Sequence, residues 1–262
     1  MRSQREKARA ASAFDGGRRG GDLTFSHQDR AETLRGVGDV FEGYTTTAID
    51  SVEVVALFDE HRVEVSSLAT GARGYAALAR TPFYLEAGGQ VSDTGLLATA
   101  DGVRVQVHSV VRAAPGLPRL HGVQVDTGVL RTAQHVDARV DVTRRDATRR
   151  NHTGTHLLHA ALRQVLGPHV KQAGSLVAPD RLRFDFVHTA SVTSEERTRV
   201  EDLVTREILA NHAVATTVRN TQDAIASGAT ALFGEKYGDT VRVVAVGDGR
   251  FSTELCGGTH VS

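Results

Sequence analysis

Two pairs of residues in this sequence have the types and spacing to hold a metal ion. His152-Thr-Gly-Thr-His156 sets two imidazoles four residues apart, so on a helix they stand one above the other on a single face, within reach of one ion. His159 continues that face. Far along the chain, Cys256-Gly-Gly-Thr-His260 offers a thiolate and an imidazole at a second short spacing, with two glycines that permit the tight backbone of a non-helical ligand loop. Together His152, His156, Cys256 and His260 make a four-ligand set for one zinc ion, whose borderline-soft character accepts mixed nitrogen and sulfur donors. The competing reading is structural: surface or core histidines, Cys256 as a small buried hydrophobe, and His260 as a frayed residue. The helical pair lacks the Glu of a His-Glu-x-x-His metalloprotease, which disfavours that class of hydrolase.

A ligand helix and a ligand loop need elements to carry them. Thr143 opens a helical stretch, with Asp146 three residues on as a capping-box-like pair and Pro168 just past its end. Leu158, Leu162 and Val165 fall on a different stripe from the histidines and are expected to face the core. Helix 143–166 divides the sequence. Before it, from Val37 to Val142, short β-branched runs at Val52–Phe58, Arg62–Ser66, Val103–Val111, Gly122–Val125 and Val136–Val142 are punctuated by Gly, Asp-Gly and Pro turns, the pattern of a small antiparallel barrel or sandwich. After it come strands at Lys171–Val177, Leu182–Val187 and Val241–Val246. A helix capped by Thr193 and Glu196 follows the second of these, with Val200, Leu203, Val204 and Ile208 on one stripe, and a short helix lies near Thr221–Ser227. The first thirteen residues are strong helix formers with little to bury, and 15–22 form a Gly/Arg-rich linker.

Composition bounds the function. Forty per cent hydrophobic and 24% charged residues exclude disorder throughout, and 31 basic against 31 acidic residues leave no global field to hold a polyanion. A general nucleic-acid coat protein is therefore disfavoured, and a polyanion partner must be met by local patches. The single cysteine cannot form an internal disulfide, which points to a reducing compartment. No segment approaches the ~18 apolar residues of a membrane span, so the expected address is cytoplasmic, with no membrane partner. Twelve histidines in a chain with no Trp and one Met raise metal or proton chemistry on inventory alone.

Five segments in order carry a resemblance: His152–His156 within Arg150-Asn-His-Thr-Gly-Thr-His-Leu-Leu-His159, Lys171-Gln-Ala-Gly-Ser175, Leu182-Arg-Phe-Asp-Phe186, Ala231-Leu-Phe-Gly-Glu-Lys-Tyr-Gly-Asp239, and Glu254-Leu-Cys-Gly-Gly-Thr-His260. They look like the editing region of bacterial alanyl-tRNA synthetase, much of which free-standing alanyl-tRNA editing proteins share. Upstream, Thr81-Pro-Phe-Tyr-Leu-Glu-Ala-Gly-Gly-Gln-Val-Ser-Asp-Thr-Gly95 resembles the glycine-rich motif of the barrel that precedes the editing site. The resemblance covers about 37–262. It implies an α+β fold: a small antiparallel β-barrel over 37–142, then an α+β zinc-binding editing domain over 143–262 with a mainly antiparallel sheet and flanking helices. Residues 1–36 are then a helix remnant and linker.

The resemblance also implies an activity, hydrolysis of the ester joining serine or glycine to the terminal adenosine of alanine tRNA. That is the second half of a double sieve, since a synthetic site cannot reject the smaller glycine or, strongly enough, a serine that only adds a hydroxyl. His152, His156, Cys256 and His260 match the zinc set, with His152, His156 and Gln172 at the reacting centre. Gln172 matches a pocket glutamine, an amide that hydrogen-bonds substrate without titrating, and Gly88 and Gly89 match the loop bordering the pocket. Without an adenylate-forming core, ATP-dependent charging is not expected. Four protein ligands close a zinc site, whereas catalysis needs an open position, so a non-catalytic tRNA-binding fragment with structural zinc stands as the alternative. Arg144, Arg145, Arg149 and Arg150 lead into the histidine helix and either hold acceptor-end phosphates or form a solvated face balanced by Asp137, Asp141 and Asp146. Gly154, where the family commonly has alanine, either costs about 1 kcal/mol or serves close packing beside the ion. Phe83 is expected in the barrel core.

Overall fold

The computed structural model describes residues 23–231 and 237–262. The expected helix of residues 1–13, the linker at 15–22, and Glu235 and Lys236 lie outside the described residues. Two compact units emerge: the described residues through Phe83 together with Thr94–Arg139, and Tyr84–Asp93 together with Val140–Ser262. The short segment Tyr84–Asp93, which holds the Gly-Gly-Gln sequence, thus belongs to the unit of the histidine helix.

The first unit carries helix α1 (Arg30–Val37) and strands β1 (Ala48–Asp59), β2 (Glu64–Val65), β3 (Ser67–Ala69), β4 (Arg73–Leu78), β5 (Gly95–Ala98), β6 (Arg104–Val111), β7 (Leu120–Thr127), β8 (Val129–Arg131) and β9 (His135–Val140). β1, β4, β7, β6, β5 and β9 follow one another around a ring that closes through β1–β9, with β2 appended to β1: a six-stranded antiparallel barrel. The long strand β1 closes the ring because its register slips twice, between Ile49 and Val52 and between Val54 and Ala56, and such bulges bend and twist a strand. Alternate residues Val105 and Val107, Val123 and Val125, and Val136 and Ala138 fill the interior. Gly95 sits where a Cβ would lie 2.1 Å from the Arg139 carbonyl, so only glycine permits that strand approach. Phe83 is fully buried against His121, their ring centres 5.4 Å apart, which places it in the core as expected.

The second unit is built on α2 (Val142–Leu166), followed by β10 (Lys171–Val177), β11 (Leu182–Val187), α3 (Ser194–Ala210), β12 (Val214–Asn220), α4 (Thr221–Ala226), β13 (Thr240–Val246) and β14 (Ser252–Leu255). β10 and β11 form an antiparallel hairpin, and β12, β13 and β14 an antiparallel three-stranded sheet. The fold is therefore α+β, with a barrel and antiparallel sheets flanked by helices. One apolar face of α2, Ala161 and Leu162 with Leu158 and Val165, packs on Val200, Leu203 and Val204 of α3 and on Phe184 and Phe186 of the hairpin. The buried Leu162 and Val200 contribute roughly 2 kcal/mol each, and the partly buried side chains less. Val200, Leu203 and Val204 lie on the expected stripe, but Ile208 does not join it: 57% exposed, it lies in the last turn of α3 outside the cluster. The cap of α2 also differs from expectation. Asp141, extended at the N-cap, accepts from the Arg144 N–H, while Asp146 pairs with Arg149. An aspartate directly before the first turn outcompetes Thr143 because its short carboxylate reaches the free N–H groups. Thr193 and Glu196 form the capping box of α3 in full. Among the described residues no helix is long and apolar enough to cross a membrane.

Candidate metal centre

Residues 152, 156 and 159 are four and three apart on α2, so their rings share one face, beside the Leu158–Leu162 stripe, and His159 also touches Phe184 with ring centres 5.1 Å apart. β14 ends at Leu255, and the loop that follows carries Cys256 and His260 back to that face. The ligand atoms of His152, His156, Cys256 and His260 all lie within 4.8 Å of one another. Cys256 Sγ is 3.4 Å from His152 Nε2 and 3.3 Å from His260 Nε2. A tetrahedral zinc with ordinary Zn–S and Zn–N bonds separates nitrogen from sulfur by about 3.5 Å. His156 Nε2 is buried with no hydrogen-bond partner, an orphan that a cation would satisfy. The residues thus fit a divalent ion of the zinc type held by three imidazoles and one thiolate.

Each imidazole is oriented from behind through Nδ1, which leaves Nε2 for the cluster. His152 Nδ1 meets Gln90 Oε1 at 2.7 Å, His156 Nδ1 meets Glu254 Oε2 at 2.7 Å, and His260 Nδ1 lies 3.3 Å from Thr153 Oγ1. Metal-binding histidines usually have such outer partners, which fix ring tautomer and orientation. Gln90 is fully buried, and it also accepts from the Thr259 N–H at 2.9 Å and donates to Thr259 Oγ1 at 2.8 Å, so one amide ties the ligand helix to the ligand loop. Gly88 and Gly89 serve this placement. Both have positive φ, the Gly89 carbonyl accepts from the Val177 N–H at 2.7 Å, and a Gly89 Cβ would lie 2.6 Å from the Ser175 carbonyl. The segment is held at its far end by Asp93, which pairs with Arg145, fully buried on α2, and accepts from the Tyr84 N–H.

Charge follows the same geometry. Burial raises the Cys256 thiol, but His152, His156 and His260 around it outweigh this and hold it well below its usual value, so the sulfur is a ready thiolate donor. Burial pulls His156 down, yet the Glu254 carboxylate and the Cys256 thiolate raise it to about 10. Burial raises Glu254, and its two histidines bring it down to about 2. His260 is lowered to about 4, chiefly by burial.

The other expected site residues are distributed differently. Gln172 lies half-buried on β10 opposite Phe186 and beside a register slip, hence on the hairpin face that packs on α2, but it is not one of the four clustered residues. Of the basic run, Arg145 is fully buried in its pair with Asp93 and cannot meet a phosphate, which corrects the expectation for that residue. Arg149 is half-buried against Asp146, and Arg150 is exposed. Gly154 on α2 has space: a Cβ there would meet only Leu182 Cδ2 at 3.7 Å, so close packing does not require glycine. The sequence reading missed Gln90, Thr259 and Glu254. Glu254 carried a signal, since it stands two residues before Cys256 on an extended strand and so shares its side.

A six-stranded barrel joined in one chain to an α+β unit with a three-histidine, one-cysteine centre defines the class, and sequence comparison identifies it. Residues 1–144 match the family described as tRNA synthetases class II (A), and residues 241–262 match the second additional domain of threonyl and alanyl tRNA synthetases. The chain belongs to the class II (A) tRNA synthetase family. Over its whole length it is 48% identical to an alanine–tRNA ligase of Bordetella parapertussis, 47% to one of Halorhodospira halophila and 48% to one of Nitratidesulfovibrio vulgaris. It spans 28–29% of the length of those ligases.

Proposed function

We propose that this chain edits mischarged alanine tRNA, hydrolysing the ester that joins serine or glycine to the terminal adenosine, with zinc held by His152, His156, Cys256 and His260. The observation that carries the reading is the convergence of the four ligand atoms from helix α2 and the Cys256–His260 loop, each imidazole braced at Nδ1. In the reaction water adds at the ester carbonyl carbon, the bond to the ribose oxygen breaks, and that oxygen leaves with a proton. A bound zinc supplies Lewis acidity for this step. The protein residues supply orientation. Of the residues that would hold the ion, His152 and His156 are buried, whereas His260 is half-buried and braced at Nδ1 by the 3.3 Å contact to Thr153, so it is the least enclosed of the three imidazoles. Gln172 is assigned to hydrogen-bond the aminoacyl group from β10, Gly88 and Gly89 to border its pocket, and exposed Arg150, with Arg149 beside it, to meet acceptor-end phosphates. The work is done in the cytoplasm.

The test is release of amino acid from seryl- and alanyl-tRNA side by side, with zinc stripped and restored and its content determined on the same samples. Serine release that stops on chelation, returns with zinc and leaves alanyl-tRNA intact is expected. Unchanged deacylation by metal-free, folded protein would overturn the reading. A second reading, tRNA binding without turnover around a structural zinc, is favoured by the full complement of four protein ligands. It requires that chelation unfold the chain, whereas the first requires that chelation silence a folded one.

A further inference from the structure

Glu254 is buried at the end of β14, two residues before Cys256, and both of its oxygens are used. Oε2 meets Nδ1 of His156 at 2.7 Å and Oε1 meets Nδ1 of His159 at 2.9 Å. An ionised carboxylate only accepts, so both Nδ1 atoms carry their proton and both rings are turned the same way. The two histidines stand three residues apart on one face of α2, so the carboxylate spans one helical turn. Its own strand is fixed independently: Leu255 is buried with Ala224, Val241 and Val243, and its N–H donates to the Thr230 carbonyl at 2.9 Å. Glu254 therefore cannot follow the helix; the histidine rings must come to it.

We infer that Glu254 is a positioning residue of the metal centre, holding His156 in the one tautomer whose Nε2 faces the other ligands, and that His159 is the second anchor that keeps this carboxylate from turning away. His159 is buried with its ring against Phe184 and stands outside the four clustered residues; its Nε2 has no hydrogen-bond partner, so its polar contact is the Nδ1 bond to Glu254, which is an anchoring one. The inference rests on the metal reading proposed above. It assigns work to the acid of Glu-Leu-Cys-Gly-Gly-Thr-His and to the third histidine of the helix.

The test is zinc affinity, by competition with a chromogenic chelator, for the full chain and for Glu254→Gln, His159→Phe and the double variant, with folding followed by circular dichroism. In Glu254→Gln the amide N–H2 faces one of the Nδ1–H groups, and zinc affinity is expected to fall ~10–100-fold. His159→Phe is expected to weaken zinc by a smaller factor. The double variant is expected to bind no more weakly than Glu254→Gln, because His159 acts through Glu254. Nitrogen-15 spectra of the zinc-loaded unaltered chain, showing His156 protonated at Nδ1, decide the matter should Glu254→Gln fail to fold. Affinity of Glu254→Gln within threefold of the original, additive losses in the double variant, or His156 ligating through Nδ1 would each overturn the inference. A chain that takes up no zinc at all removes the metal reading, and this inference with it.

Discussion

Gly258→Ala is the sharpest perturbation the candidate metal centre offers. A Cβ at Gly258 would lie 2.0 Å from His152 Cε1, 2.4 Å from His152 Nδ1 and 2.8 Å from Gln90 Oε1. An ordinary carbon–carbon contact needs about 3.5 Å, so the ring and the methyl must part by roughly 1.5 Å. The loop cannot supply that movement alone, because the Thr259 N–H donates to Gln90 and Arg242 donates to the Gly258 carbonyl. The ring therefore has to yield, and a displacement of this size exceeds the ~0.2 Å tolerance of a metal–nitrogen bond several-fold. Overpacking is expected to cost about 1–3 kcal/mol of stability. Loss of His152 from the ligand set is expected to weaken zinc at least ~100-fold, the outer end of what disturbance of a ligand's support alone produces. Chelator competition reads the affinity, and urea unfolding of metal-free protein reads the packing cost separately. Zinc binding by Gly258→Ala within threefold of the original chain would refute the reasoning, since the Cβ would then have found room that the geometry denies it.

Three further outcomes follow from particular sites. Gly154→Ala, which meets only an ordinary 3.7 Å contact on a mid-helix position, is expected to raise stability by about 1 kcal/mol with zinc affinity unchanged; a lower urea midpoint counts against it. Asp93→Ala removes the carboxylate facing the fully buried Arg145 guanidinium and is expected to lower unfolding free energy by about 3–5 kcal/mol, read from the urea midpoint; a loss under 1 kcal/mol would contradict this. His121, fully buried between the Ala76 carbonyl and Thr81, is held down to about 4 chiefly by burial, with the Arg119 charge adding to it, against the hydrogen bond to the Ala76 carbonyl and the Asp39 charge, which raise it. Its folded value lies below the unfolded 6.5. The unfolded chain therefore takes up the proton first, and its contribution is intact above pH 6.5 and lost as pH falls toward 4, by about 2 kcal/mol at pH 5. Comparing unfolding at pH 7 and pH 5 for the original chain and His121→Asn isolates that contribution, and an equal acid loss in both would sink it.

What could be read in the sequence and what could not divide along physical lines. His152, His156, Cys256 and His260 were legible because each pair is local, and a helix or a glycine turn fixes its spacing without reference to the rest of the chain. β10, β11 and the capping box of α3 were legible for the same reason. Gln90 was not: it stands 62 residues from His152, in a glycine loop with no periodicity to announce it. β12 was missed because its exposed residues show no apolar alternation, and β4 because Arg-Gly-Tyr-Ala-Ala-Leu carries little β-branched character. The face of Arg145 was misjudged because a lone arginine in a basic run looks solvated until its partner, Asp93, arrives from a distant segment.

The partners behind the ligands also decide what charge the centre accepts. Cys256 as thiolate and Glu254 as carboxylate bring two negative charges into a buried site, while Gln90 and Thr153 bring none. The ion pair of Asp93 and Arg145 is neutral in itself. Three neutral imidazoles and two anions are therefore balanced by a dication, and a monovalent or trivalent ion would leave an uncompensated buried charge, which costs far more than any single hydrogen bond returns. Without an ion protons take over part of the balance, and the rise of His156 to about 10 beside Glu254 and Cys256 offsets one of the two negative charges. Had position 90 carried a second carboxylate, the site would hold three negative charges and favour a proton alongside the metal. A neutral amide at Gln90 and an anion at Glu254 together set the charge of the candidate centre at the value a divalent ion would cancel.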